Sequence, residues 1–271
     1  MMNGWGDAGL QEGKSEAESE PDSSIGTAST SRSILLIAAS ALAAFVGACT
    51  AHELVGHSGA CLIDGGTVVE VSSSLFKCRP GTLVSDLGGP GANFIVGLVS
   101  LILLRDRQRG TLIHLVLAFS VAFNMFWLAG ELLMSAVLAR DDFAYAARTF
   151  GAAQFFARAI FGMAGISLAI MTCRLMAYQG LSRNMLRLAY CVVGTGVCLS
   201  AGLHATPIGP ALREAALESF GGMAWLLCVS PRPPNSMRVA KLAFNPASWS
   251  ISLLALIAFS LLLALGHGYA A

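Results

Sequence analysis

The sequence predicts an all-α polytopic membrane protein of about six transmembrane helices. Three observations carry that expectation. Hydrophobic residues make up 55% of the chain and charged residues only 12%, where a soluble domain carries about a quarter charged. Several apolar runs reach the roughly 20 residues that a helix needs to cross a bilayer. A spanning segment must also satisfy its own backbone polar groups, which runs of this kind do as helices. The net charge of +1 gives no reason to expect a nucleic-acid partner. The seven cysteines include no Cys-x-x-Cys pair, so neither a zinc ribbon nor a redox motif is indicated.

Residues 1–32 are rich in Gly, Ser and Glu. Asp7, Glu12, Glu16, Glu18, Glu20 and Asp22 face the single base Lys14 ahead of Arg32. Such a stretch cannot bury a core and is expected to be a disordered tail. It does not resemble a cleavable signal peptide, because the apolar run starts late and lacks a basic start. Residues 33–271 are expected to form one membrane domain.

The first span is expected over residues 34–57. Its small residues, among them Ala38, Ser40, Ala44 and Gly47, suit close helix packing. In the loop 58–82, Thr67-Val68-Val69-Glu70-Val71 follows Gly65-Gly66. A β-branched run after a glycine turn suggests a short strand or hairpin, with an irregular loop as the alternative. Cys61 and Cys78 share this loop. They would bridge if it faces an oxidising compartment, and otherwise serve as small apolar residues.

The second span is expected to open at Gly88-Gly89-Pro90-Gly91-Ala92-Asn93 and to run to residue 104. Proline suits a helix start, and Arg105, Arg107 and Arg109 close the helix. The third covers residues 111–139, with Asn124 and Glu131 inside it and Asp141-Asp142 directly after. Further spans are expected over 153–178, 185–204 and 249–265. Residues 206–247, broken by prolines that include Pro207, Pro210, Pro231, Pro233 and Pro234, are expected to be interfacial or re-entrant.

Consecutive spans alternate in direction. His52, Glu53 and His57 at the end of the first span therefore share a membrane face with Asn93 at the start of the second. Asp141 and Asp142, after the third, fall on the same face. Ionisable groups at a span end are costly and mark function by default. Asn124, Glu131 and Asp142 are separated by nearly whole helical turns. If the third helix extends that far, Asp142 looks inward; if it ends by Arg140, either aspartate is eligible.

His52-Glu53-Leu54-Val55-Gly56-His57 departs from the zinc-binding His-Glu-x-x-His helix by one residue. Histidines at i and i+5 stand about 140° apart on an ideal α-helix. A π-bulge would absorb the extra residue, and a loosened turn at Gly56 would let His57 swing back. Alternatively Glu53 and His57, at i and i+4, form the metal pair. The first two arrangements keep Glu53 free as a general base.

With these residues in view, the chain resembles the site-2 protease group of intramembrane zinc metalloproteases. His52-Glu53…His57 at a span end, Gly88-Gly89-Pro90-Gly91-Ala92-Asn93-Phe94 opening the next helix, and Asp142 or Asp141 after the third carry the likeness. It covers residues 33–145, which would be a three-helix catalytic core, with 146–271 as additional helices. The resemblance implies Zn2+ held by His52, His57 and Asp142, water activated by Glu53, and Asn93 assisting near the reacting carbonyl. It implies a transmembrane protein substrate in the lipid bilayer, and a place in the cell's inner membrane. Ala139-Arg140-Asp141-Asp142-Phe143 departs from the group's usual context for the third ligand. A non-catalytic transporter or scaffold, or a metal-dependent hydrolase of another substrate, is the alternative. The Lys and Arg balance leans slightly toward a cytoplasmic site, and a Cys61–Cys78 disulfide would argue the reverse.

Overall fold

The computed structural model describes residues 23–72, 76–107, 111–204, 208–232, 248–267 and 269–270. Helix α1 spans Ser23–Cys49. It begins inside the stretch expected to be a tail, while residues 1–22 lie outside the described part. It passes without a break into a π-helical segment, Thr50–Ser58, and then into α2, Gly59–Ile63.

Strands β1, Thr67–Val71, and β2, Phe76–Arg79, follow and pair antiparallel. The strand alternative for Thr67–Val71 is thus the one realised. Cys61 and Cys78 form a disulfide that ties β2 to α2. Near the other end of the chain, β3, Tyr269–Ala270, adds to the free side of β1, giving the order β2-β1-β3. The fold is mostly helical, consistent with the expected all-α membrane protein, and carries one small sheet.

Helix α3 spans Leu83–Arg105, starting five residues before the expected opening at Gly88. The reason is a capping box. Thr82 Oγ1 accepts from the Ser85 backbone N–H at 3.1 Å, and Ser85 Oγ accepts from the Thr82 N–H at 2.9 Å. Pro90 therefore lies inside the helix, where its ring removes one backbone hydrogen bond.

Helix α4, Leu112–Leu138, is the centre of the bundle. Phe119, Phe123 and Phe126 are fully buried on it, and α1 and α3 pack around it. Its last carbonyls are capped by Arg158, whose guanidinium donates to Ala136 O at 2.7 Å and Val137 O at 3.2 Å. Short α5, Asp142–Arg148, leads to α6, Gln154–Ala177, which also packs on α4, and then to α7, Arg183–His204.

Residues 208–232 form α8, Ile208–Ala216, a π turn at Leu217–Gly221, and α9, Trp225–Cys228. None is long enough to cross a bilayer. Residues 233–247 lie outside the described part. Helix α10, Ser248–His267, packs on α1 and α7.

Among the described residues, five helices are long and apolar enough to cross a membrane: Ser33–Ile63, Leu83–Arg105, Leu112–Leu138, Gly151–Ala177 and Arg183–Leu203. The expected sixth, over 249–265, is a helix, but its described apolar part is the shorter Leu253–Leu262. Outward-facing Leu98, Val99 and Ile102 of α3 and Phe155, Phe156 and Ile160 of α6 are exposed, as expected of surfaces that meet lipid rather than water.

Candidate metal centre

The site is built where three chain segments meet at one end of the bundle. The π segment supplies His52, Glu53 and His57, all buried. An i→i+5 hydrogen-bonded turn brings residues five apart onto one side, as an α turn does for residues four apart. The extra residue is absorbed in this way. His52 Nε2 and His57 Nε2 stand 3.0 Å apart, with their rings nearly perpendicular. The alternative pairing of Glu53 with His57 is not the one formed. Leu54 and Val55 turn outward instead.

Asp142 completes the group. Its Oδ2 lies 3.1 Å from His57 Nε2 and 3.4 Å from His52 Nε2. The structure brings Asp142 into this group, and the condition under which helical spacing turned it inward is not met. Helix α4 ends at Leu138, Ala139 adopts a left-handed conformation with φ 54°, and Asp141 has φ 83°. Asp141 then caps α5 by accepting the Asp142 N–H at 3.1 Å, which presents Asp142 in the first turn of that helix. Ser135 holds the corner. Its hydroxyl donates to Arg140 O and accepts the Ala144 N–H, each at 3.0 Å.

The three ligand atoms form a triangle with edges of 3.0, 3.1 and 3.4 Å. Around a tetrahedral ion with bonds near 2.05 Å, ligand atoms are about 3.3 Å apart. His52, His57 and Asp142 therefore could hold a metal ion.

The surroundings orient the two rings. His57 Nδ1 donates to Ser85 O at 2.6 Å, which leaves the Nε2 lone pair for a ligand role. Phe76 of β2 stacks on the same ring at 4.9 Å. His52 stacks on Trp127 of α4 at 4.9 Å, and Trp127 in turn stacks on Phe45. The Asn93 amide lies 3.1 Å from His52 Nδ1, and Asn93 Oδ1 has no hydrogen-bond partner. Turning the amide over sets Oδ1 to accept the Nδ1–H and frees His52 Nε2 in the same way. Asn93 is fully buried, so it is placed to orient a ligand ring. Replacing it with Ala is expected to weaken metal affinity by about 10–100-fold, measured by competition with a chelating dye.

Glycines make the approach possible. A Cβ on Gly56 would lie 2.5 Å from Gly88 O, so the π segment and α3 cross backbone to backbone. A Cβ on Gly89 would lie 2.6 Å from His52 Nε2. The space over the ligand triangle is thus kept open by a missing side chain.

Glu53 is 5% exposed, and its Oε2 has no hydrogen-bond partner. Glu131 is 1% exposed and sets Oε1 3.3 Å from His52 Nε2. It faces the site, whereas Asn124 donates to Ser120 O at 2.8 Å. Burial pushes the Asp141 carboxyl up to about 7, and the Asp142 charge adds to this. Burial acts upward on Asp142 as well, but its hydrogen bonds to His52 and His57 outweigh that and hold it below the usual carboxylate range.

Four contributors escaped the sequence reading: Ser85, Phe76, Trp127 and Ser135. Only Ser85 carried a local signal, as Thr82-x-x-Ser85, and that departs from the usual Glu or Gln at the third helical position. The chain matches no family model, no curated protein and no solved structure.

Proposed function

We propose that this chain is an intramembrane zinc metalloprotease of the site-2-protease kind, cleaving membrane-embedded peptide segments. The observation that carries the reading is the His52–His57–Asp142 triangle at the end of a membrane-length helix, with buried Glu53, whose Oε2 has no hydrogen-bond partner, in the same π segment. Two imidazoles and a carboxylate suit Zn2+ and leave a position for water, as in zinc hydrolases. His52, His57 and Asp142 would hold the zinc, and the chemistry it would supply is a water pKa lowered to about 7 and a polarised scissile carbonyl. Glu53 takes the proton from the attacking water and returns it to the leaving amine. Asn93, Ser85 and Trp127 hold the histidine rings in the ligand orientation. Gly89 leaves room for the substrate carbonyl.

The substrate is a transmembrane segment that unwinds locally so that its backbone reaches the site. The outer edge of β2 carries no paired strand among the described residues, and Phe76 of that strand touches His57. An extended peptide can add to such an edge through main-chain hydrogen bonds. The Cys61–Cys78 disulfide favours an oxidising compartment on the site's side of the membrane, against the slight lean of the basic residues.

The test is zinc content of the purified chain beside cleavage of a membrane-tethered reporter. About one zinc per chain, lost in His57→Ala together with cleavage, is the expected result. A wild-type chain that binds no zinc, or a His57→Ala chain that cleaves normally, overturns the reading.

A further inference from the structure

We propose that Glu131, Asp141 and Asp142 form a second cation site for a hard divalent ion such as Mn2+ or Mg2+, sharing Asp142 with the zinc position. This rests in part on the zinc reading, because Asp142 belongs to both groups. One carboxylate oxygen from each of the three residues lies within 4.8 Å of the other two. Proximity of acids alone is common; the full burial of Glu131 beside two partly buried aspartates is not. Glu131 is 1% exposed in the middle of the bundle, and its Oε2 has no hydrogen-bond partner. Asp141 Oδ2 is likewise buried without a partner.

A buried carboxylate needs a counter-charge or hydrogen-bond donors. No Lys or Arg among the described residues pairs with any of these three. Nearby Arg140 instead reaches Glu214 at 3.4 Å, Arg148 lies over the Tyr145 ring, and Arg158 caps α4. The cations nearest the group are the histidines: His52 Nε2 lies 3.3 Å from Glu131 Oε1, and His57 Nε2 lies 3.1 Å from Asp142 Oδ2; with zinc bound, those lone pairs would be engaged by the ion and would bring no proton to the carboxylates.

The donor set differs from that of the zinc position. His52 and His57 bring imidazole nitrogen, which suits zinc. Glu131, Asp141 and Asp142 bring only carboxylate oxygen, which suits Mg2+, Ca2+ and Mn2+. A carboxylate has two oxygens, so Asp142 can serve both ions, as bridging carboxylates do in two-metal hydrolases. The left-handed corner at Ala139 to Asp141 thereby acquires a reason. It sets two consecutive aspartates toward the same interior point, which a continued α4 would have turned about 100° apart.

The full-length chain, stripped with a chelator and reloaded with one equivalent of Zn2+, is titrated with Mn2+ and followed by the loss of the free-ion paramagnetic signal. One Mn2+ per zinc-loaded chain is expected. Glu131→Gln and Asp141→Asn, close in shape to the originals, are each expected to weaken Mn2+ binding by about tenfold or more. Zinc content stays at one in both, which also reports correct folding. No Mn2+ bound to the zinc-loaded wild type, or equal Mn2+ affinity in both variants and wild type, overturns the second site and leaves the zinc reading standing. A chain that takes no zinc but binds Mn2+ through Glu131 sustains the second site and removes the zinc reading.

Discussion

Glu53→Gln is expected to leave zinc bound at one ion per chain and to slow cleavage of a membrane-tethered reporter by about 10²–10⁴-fold. Glu53 is the neighbour of His52 in the π segment, yet the group that could hold a metal ion is His52, His57 and Asp142. The Glu53 Oε2 has no hydrogen-bond partner and is buried. On the proposed zinc reading, a carboxylate outside the ligand group and beside the ion's water would accept and return a proton. Glutamine keeps the shape and removes that capacity. The metal ligands are untouched, so binding and turnover separate. Loss of zinc in the variant would instead make Glu53 part of the ion's support. Unchanged cleavage would remove it from the mechanism.

Gly89→Ala is expected to lower zinc affinity by about 100-fold or more, although alanine favours a helix by about 1 kcal/mol over glycine. The added Cβ would lie 2.6 Å from His52 Nε2 and also crowd His57 Nε2. Neither histidine can yield easily. His52 is stacked on Trp127, and His57 is held between Ser85 O and Phe76. Zinc ligand distances tolerate only about 0.2 Å of change, so the ligand triangle opens before the methyl fits. Overpacking of this kind costs about 1–3 kcal/mol in stability as well. Competition titration against a zinc chelator, with thermal melting beside it, measures both effects. A Gly89→Ala chain with wild-type affinity would show that the space over the triangle is larger than these distances imply.

Much of the frame was legible because span composition is a strong signal. Long apolar runs can only be buried or lipid-facing, and the helices near 154–177 and 183–204 fall within two residues of expectation. The start of α3 was missed because its cap is Thr82 with Ser85, a weak local pattern, while Gly88-Gly89-Pro90 is a loud one. The glycines serve close approach to the histidines rather than a helix opening. Helical spacing favoured Asp142 over Asp141 only for a third helix that reached it, and its position comes instead from a left-handed corner, whose non-glycine residues Ala139 and Asp141 give no warning in sequence. Glu131 could be placed on the right face by spacing, but its contact with His52 is tertiary. The stacking of Trp127 and Phe76 on the rings depends on which helix and strand lie next to them, and that is set only by packing.

The π segment has one more consequence, for how the longest helix keeps its alignment. In an α-helix, each inserted residue rotates everything beyond it by about 100°. Here Phe45, upstream, must meet Trp127, and Gly56, downstream, must meet Gly88. Both contacts hold although the histidine spacing is one residue longer than an α turn accommodates. The surplus is lodged at Leu54 and Val55, which are 41% and 66% exposed on the outer face. The segment works as a phase compensator: it accepts a length change where only lipid is displaced and returns the helix to register on the side where the ligands sit. Histidine spacing and helix alignment are thereby decoupled, so a motif of a different length can build the same site.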